Sequence, residues 1–306
     1  MKSFKELGLS DEVLKALTEL GFETPSEIQH ESIPILLKAE SDFIGLAQTG
    51  TGKTAAFGLP LLEHIDPAYP YTQALVLAPT RELGQQIAEQ LALYSKFLDK
   101  VNVLPVYGGA AIKNQIDALK KTQHVIIATP GRLIDLIKRK AVNLEMLQFM
   151  VLDEADEMLN MGFKEELDKI LSYTPEEKLT WLFSATMPRE IKRIVDKYME
   201  DPQEVKVNTK NEVNKNIEHQ YTVLKQSNKT EALMRFIDVN PGMRGIVFCR
   251  TKRDTQNLAE ELLKKSYKAD AIHGDLTQMQ RDRVMKRFKS NQLQLLIATD
   301  VAARGI

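Results

Sequence analysis

Two strand-like apolar runs in this chain end in side chains suited to phosphate chemistry. The first, 43–47, runs into Gln48-Thr49-Gly50-Thr51-Gly52-Lys53-Thr54, and the second, Phe149-Met150-Val151-Leu152, ends in Asp153-Glu154-Ala155-Asp156. The first meets the phosphate-loop pattern G-x-x-x-x-G-K-[ST] except at its opening position, where Ala47 replaces glycine. Gly50 and Gly52 let the backbone wrap an anion where a Cβ would clash. The helix that follows aims its free N–H groups and dipole at the same anion. Lys53 is placed to bridge terminal phosphates, and the Thr54 hydroxyl to ligate Mg²⁺. Asp153 is the candidate to hold Mg²⁺, directly or through water, and Glu154 to orient or deprotonate an attacking water. Asp153-Glu154-Ala155-Asp156 also suits a plain helix start, but two carboxylates ending a buried strand are costly to place without a partner. Together the two runs carry the equipment of nucleotide hydrolysis.

The surrounding pattern says how these ends are held. Apolar runs of strand length recur at 43–47, 74–78, 103–107, 125–129, 149–152 and 180–183, with helix-period segments such as 85–98 and 163–171 between them. Strands apolar on both faces, alternating with helices, predict a parallel α/β sheet. The stretch 208–216 carries four asparagines, two lysines and a glutamate, with Val213 its only apolar residue, and reads as a solvated linker. Strand-like runs resume at 219–224, 245–249, 269–273 and 293–298. The expected organisation is an α/β domain at 1–207, a linker at 208–217 and a second α/β domain at 218–306.

Composition narrows the setting. A chain of 306 residues with 43% hydrophobic and 27% charged residues fits two soluble globular domains. A formal net charge of -1 means that nucleic-acid binding must come from local grooves and not from a globally basic surface. The single cysteine, Cys249, excludes an internal disulfide framework and fits a reducing cytoplasm. Met1-Lys2-Ser3-Phe4-Lys5-Glu6 lacks the apolar core of a signal peptide, and no run reaches transmembrane length, so a cytoplasmic protein without membrane contact is expected.

Taken in order, these motifs resemble the DEAD-box family of ATP-dependent RNA helicases, whose name Asp153-Glu154-Ala155-Asp156 spells. The resemblance implies two tandem RecA-like parallel-sheet domains, the second incomplete in this sequence, with ATP and Mg²⁺ as cofactors. Gly21-Phe22-Glu23-Thr24-Pro25-Ser26-Glu27-Ile28-Gln29 resembles the family's adenine-recognition element. It implies nucleotide contacts from Phe22, Thr24 and Gln29, with Phe4 as an aromatic near the base. Standing alone, Gln29 reads as an exposed helix glutamine. Pro79-Thr80-Arg81, Gly108-Gly109 and Thr129-Pro130-Gly131-Arg132 resemble the RNA-backbone motifs. Thr129 followed by Pro130 also reads independently as an N-cap and first helical position beside Arg132. Without the resemblance, a salt bridge to a first-turn glutamate is the lesser alternative reading of Arg81. Ser184-Ala185-Thr186 resembles the motif coupling hydrolysis to duplex opening, with Asp156, Asp300 and Arg304 implied in the same coupling. In the second domain Arg250, Gln278, Arg281 and Thr299 are implied RNA contacts.

The resemblance implies an enzyme that binds single-stranded RNA without sequence preference and locally unwinds short duplexes. RNA-decay or ribosome-assembly proteins are its implied partners. It also implies an arginine-finger motif that the sequence, ending at Ile306, does not contain. The alternative reading is therefore an ATP- and RNA-binding helicase fragment with little turnover, in which 293–298 exposes an unpaired sheet edge. A phosphate-loop ATPase acting on protein or DNA is disfavoured by the Gln29, Pro79, Gly108 and Thr129 motifs.

Overall fold

The computed structural model describes residues 3–207 and 218–300. They form two compact units, divided between Lys210 and Asn211. The expected linker at 208–217 and Arg304 lie outside the described residues.

The first unit opens with a 3-10 turn at Phe4–Leu7, then α1 (Asp11–Glu19) and α2 (Glu27–Leu36). Strands and helices then alternate: β1 (Phe43–Leu46), α3 (Lys53–Glu63), β2 (Ala74–Leu77), α4 (Arg81–Tyr94), β3 (Val103–Val106), α5 (Ile112–Leu119), β4 (Val125–Ala128) and α6 (Pro130–Lys138). After β5 (Phe149–Leu152) come α7 (Ala155–Asn160), α8 (Lys164–Ser172), β6 (Leu179–Ser184), α9 (Arg189–Tyr198) and β7 (Gln203–Lys206). All seven strands are parallel, in the order β3-β4-β2-β5-β6-β1-β7. Alternate residues of the inner strands feed two separate cores. Phe43, Val76, Ile127, Val151, Trp181 and Phe183 pack on one face, and Ile44, Leu77, Ile126, Met150, Leu152 and Leu182 on the other. Burial on both faces explains the near-continuous apolar runs of β2, β4 and β5.

β7 was not predicted, and its composition shows why. Gln203-Glu204-Val205-Lys206 has one apolar residue because this strand closes the sheet beside β1, where charged side chains face water. Asp42, 6% exposed and just ahead of β1, ties the start of β6 and the segment leading into β7 together at this edge. The Thr180 N–H donates to its Oδ1 at 2.6 Å and the Glu200 N–H to its Oδ2 at 2.7 Å. Burial nevertheless holds the Asp42 carboxyl above its ordinary range, the two backbone donors only partly offsetting it. Asp42→Ala leaves two backbone donors without their acceptor. We expect a loss of about 2–4 kcal/mol in unfolding free energy, read from urea titration. A loss below about 0.5 kcal/mol would show that water replaces the carboxylate.

The second unit contains a 3-10 turn at Gln226–Asn228, α10 (Lys229–Val239), β8 (Gly245–Cys249), α11 (Lys252–Lys264), β9 (Ala269–Ile272), α12 (Gln278–Lys289) and β10 (Leu295–Thr299). Its three strands are parallel, in the order β8-β10-β9. Two expectations change here. The run 219–224 forms no strand: it is irregular, with Tyr221 94% and Val223 89% exposed, because its alternating apolar pattern meets no ladder partner among the described residues. Nor is β10 an edge; it is the central strand, buried, with β8 and β9 on either side. Among the described residues β8 and β9 are the two flanking strands, and Phe248 of β8 is 60% exposed.

Candidate functional site

Because the seven strands of the first unit are parallel, all their carboxyl ends share one rim, where open α/β sheets bind ligands. The strand order divides this rim in two. β5, β6 and β1 occupy one half, and β2, β4 and β3 the other.

On the β5-β6-β1 half lies a cavity of about 570 Å³, lined by Phe22, Gln29, Thr49, Gly50, Gly52, Lys53, Thr54, Asp153 and Glu154. Lys53, 6% exposed, begins α3 and donates from Nζ to the Ala47 carbonyl at 3.0 Å. An ammonium has three N–H donors, so this one retains capacity for an anion. The loop before it turns at Gly50 and Gly52, with φ of +81° and +92°. At Gly52 the positive φ disfavours any side chain, and a Cβ would sit 2.3 Å from Gln29 Nε2 and displace that amide. Gln48 and Thr51 shape the same loop, the Thr51 hydroxyl donating to the Gln48 carbonyl at 2.7 Å.

Asp153 is buried at the end of β5 and accepts from the Glu154 N–H at 3.0 Å. Burial pushes its carboxyl up to about 7; the Lys53 charge opposes this and the Glu154 charge adds to it. Glu154 is also raised, first by burial, with Asp156 and Glu157 adding to the shift and Lys53 opposing it. Its backbone is left-handed, φ +50° and ψ +51°, an unusual state for glutamate that turns the chain from strand into α7. The Thr49 hydroxyl donates to Glu154 Oε1 at 3.4 Å, bringing the two sequence motifs together across the cavity.

The donor set fits Mg²⁺. Thr54 and Asp153 offer a hydroxyl and a carboxylate, and the carboxylate is held where only a cation would make its charge inexpensive. No group of three or more His, Cys, Asp or Glu among the described residues could hold a metal. An ion here would therefore complete its shell with phosphate oxygens and water, as Mg²⁺ commonly does.

Gln29 is 5% exposed and not a surface glutamine. Its Oε1 accepts from the Ser26 N–H at 2.9 Å, and its Nε2 donates to the Gly52 carbonyl at 3.0 Å. Phe22 faces the cavity, edge-on to Tyr94 on one side and Phe4 on the other, each at 6.1 Å. Phe4 is buried behind Phe22 and does not line the cavity; Thr24 is exposed outside it. Sequence reading missed the opposite wall: Leu83, Gln86, Gln90 and Tyr94 of α4, spaced three and four apart on one helical face. That periodicity was their only signal.

Asp156 closes a ring with the end of β6. Its Oδ2 accepts from the Thr186 N–H at 3.0 Å and hydroxyl at 2.7 Å. Its own N–H donates to Ser184 Oγ at 3.3 Å, and that hydroxyl donates to the Thr186 carbonyl at 2.7 Å.

The other half of the rim collects the remaining motifs. Pro79 and Thr80 follow β2, with Thr80 capping α4 by accepting from the Leu83 N–H at 3.2 Å. Arg81 lies over the Tyr107 ring, 4.4 Å from its centroid. Gly108 and Gly109 are exposed after β3, Gly109 at φ +81°. Thr129 occupies the N-cap of α6 and Pro130 its first turn, as predicted, though the Thr129 hydroxyl makes no capping bond. Gly131 is exposed, and Arg132 donates to Gln115 Oε1 at 2.7 Å and to the Ala110 carbonyl at 3.0 Å. Burial holds Arg132 below the usual guanidinium range. Neither Tyr107 nor Gln115 was singled out from sequence. In the second unit, Arg250 is exposed after β8, Gln278 and Arg281 share the first turn of α12, Thr299 ends β10, and Asp300 is exposed. A larger cavity of about 820 Å³, around Asp42 and Lys178, lies at the amino-terminal ends of the strands, away from all these motifs.

Known proteins share this arrangement. The DEAD/DEAH box helicase profile matches residues 26–194, more than half of the chain. The chain belongs to the DEAD-box helicase family. The helicase conserved C-terminal domain matches residues 228–306. The DEAD-box ATP-dependent RNA helicase CshA of Geobacillus kaustophilus is 49% identical over 306 residues, 100% of this chain and 65% of the relative. CshA of Bacillus subtilis is 48% identical over 305 residues, 99% of this chain and 61% of the relative. The chain thus spans less than two thirds of these relatives. Among solved structures, S. cerevisiae Dbp5 bound to RNA and ADP BeF3 aligns with a TM-score of 0.90 at 33% identity, covering 100% of this chain and 78% of that one. A DEAD box protein from the hyperthermophile Methanococcus jannaschii aligns at 0.65 with 44% identity, covering 99% and 82%. Both units are RecA-like. No helix of the described residues is long and apolar enough to cross a membrane.

Proposed function

We propose that this chain binds ATP on the β5-β6-β1 half of its first sheet and single-stranded RNA on the β2-β4-β3 half, as part of an ATP-dependent RNA helicase. The observation that carries this is the division of one rim: a buried Lys53 and Asp153 share a cavity on one side, and three backbone-binding motifs follow adjacent strands on the other. Lys53 neutralises phosphate charge, Thr54 and Asp153 hold Mg²⁺, and Glu154 positions or deprotonates the water that attacks. Bound Mg²⁺ supplies charge neutralisation at the phosphates. The Asp156–Ser184–Thr186 ring begins one residue past the Glu154–Ala155 pair and carries changes at the nucleotide to the end of β6. Contacts through Arg81, Gly108, Gly109, Thr129, Gly131 and Arg132 go to the sugar–phosphate backbone, so RNA is bound without sequence preference, the 2′-OH separating it from DNA. Strand separation follows when the bound strand is held in a shape its complement cannot follow. The single cysteine suits a reducing, cytoplasmic setting. The test is phosphate release from ATP with and without single-stranded RNA, on this chain and on one extended to its relatives' length. Release that RNA does not raise in the extended chain would overturn the reading.

Base selection is assigned to Gln29. Its amide is pinned by Ser26 and Gly52 with one lone pair and one N–H to spare, which suits the N6 and N7 edge of adenine and not the guanine edge. Gln29→Glu keeps the acceptor and removes the donor. ATP affinity should fall by about 5- to 150-fold, the equivalent of 1–3 kcal/mol for an unmade buried hydrogen bond. GTP should compete poorly against wild type. Equal competition by GTP and ATP in calorimetry would return Gln29 to a loop-bracing role.

A further inference from the structure

We propose that Gln115 and Tyr107 are positioning residues for RNA, holding the Arg132 and Arg81 guanidiniums in fixed orientations on the β2-β4-β3 half of the rim. The inference rests on the reading of Arg81 and Arg132 as RNA-backbone contacts. Gln115, 8% exposed, has both ends of its amide committed. Its Oε1 accepts from Arg132 at 2.7 Å, and its Nε2 donates to the Tyr107 carbonyl at 3.1 Å. The Tyr107 ring lies under Arg81 at 4.4 Å, and its hydroxyl accepts from Gln85 Nε2 at 2.9 Å. These contacts form one continuous chain, Arg81–Tyr107–Gln115–Arg132, that joins the residues following three adjacent strands.

The physical role follows from what arginine loses on binding. A free guanidinium side chain must give up most of its rotamer freedom to meet a phosphate in a planar, bidentate way. Arg132 has surrendered much of that freedom already, spending two N–H groups on Gln115 and the Ala110 carbonyl and keeping three of the five that an arginine has. Stacking on Tyr107 fixes the plane of Arg81 in the same way. Neither Gln115 nor Tyr107 carries charge, so each acts through its arginine and not by attracting the polyanion.

The test is a double-mutant cycle read by fluorescence anisotropy with a labelled single-stranded RNA, in the presence of Mg²⁺ and a non-hydrolysable ATP analogue. Arg132→Ala should weaken RNA binding by about tenfold and Gln115→Leu by about three- to tenfold, with nucleotide affinity retained. In the Arg132→Ala background, Gln115→Leu should cost nothing further, because its partner is gone. Losses that multiply in the double variant, or an unchanged Gln115→Leu beside a weakened Arg132→Ala, would overturn the inference and leave the RNA interface standing. Unchanged binding by Arg132→Ala would remove the interface itself. A second arm guards against misfolding at Gln115. Tyr107→Leu should weaken RNA binding only when Arg81 is present, and Tyr107→Phe, which keeps the stack, should retain most of the affinity. Equal losses for Tyr107→Phe and Tyr107→Leu would also overturn it.

Discussion

In a chain extended to its relatives' length, Glu154→Gln is expected to bind ATP normally while hydrolysing it about 10²–10⁴-fold more slowly, the range for loss of a positioned acid–base group. The substitution preserves shape. The Thr49 hydroxyl that donates to Glu154 Oε1 can donate to an amide oxygen, and the left-handed backbone at 154 is a property of the strand-to-helix turn that remains. What disappears is the charge proposed to position the attacking water or take its proton. Lys53→Ala should instead lose binding itself. Its ammonium is buried beside the glycine loop with a single backbone acceptor at 3.0 Å, so its removal takes away the cation proposed to meet the phosphates, about 2–5 kcal/mol of binding. Calorimetry with a non-hydrolysable analogue reads binding, and RNA-stimulated phosphate release reads turnover. Glu154→Gln must fail only the turnover assay, whereas Lys53→Ala must fail the binding assay and, through it, turnover as well. A Glu154→Gln protein that turns over like wild type would place the base elsewhere, and a Lys53→Ala protein with undiminished affinity would remove the loop from the nucleotide site.

The parts of this molecule legible in its sequence are those where one residue type has one physical use. Four-residue apolar runs such as Val125–Ala128 and Phe149–Leu152 admit little besides a strand covered on both faces, and both are strands. Gly52 and Lys53 fall at a turn and a helix start that their types demand. What sequence concealed was contact across the fold. β7 was invisible because a polar edge strand looks like a loop until its neighbour β1 is known. The run 219–224 misled for the converse reason, an alternating pattern being only permission to pair. β10 was mistaken for an edge because strand order in a parallel sheet is not chain order. In the candidate site, Tyr107 and Gln115 matter through what they touch, Arg81 and Arg132, and nothing in their local spacing announces it. Gln29 read as exposed when taken alone because its partner, the Gly52 carbonyl, is 23 positions away.

Asp153→Asn is expected to stabilise the nucleotide-free protein at about pH 8 and to abolish the Mg²⁺-dependent part of ATP binding. Burial holds the Asp153 carboxyl at about 7 against an ordinary value of 3.8, despite the nearby Lys53. A carboxyl raised in this way keeps a proton in the folded chain that the unfolded chain has already released. Stability therefore declines as pH rises from about 4 to about 7, and the full penalty stands above that range. Three units correspond to a penalty of at most about 4 kcal/mol, which Asn, uncharged and nearly isosteric, does not incur. The Glu154 N–H that now donates to Asp153 Oδ1 at 3.0 Å finds the same acceptor in the amide. At about 2–4 °C per kcal/mol for a domain of this size, the gain in melting temperature should be several degrees at pH 8. It should shrink toward zero near pH 4, where wild-type Asp153 is itself neutral. Magnesium and ATP should reverse the ranking, since only the wild-type carboxylate has a use for the cation. Thermal melts of both proteins at the two pH values, with and without nucleotide and Mg²⁺, give the full comparison. Destabilisation by Asn that is as large at pH 8 as at pH 4 would mean that the carboxylate is a structural anchor, and the metal-holding role would pass to another group on the same rim.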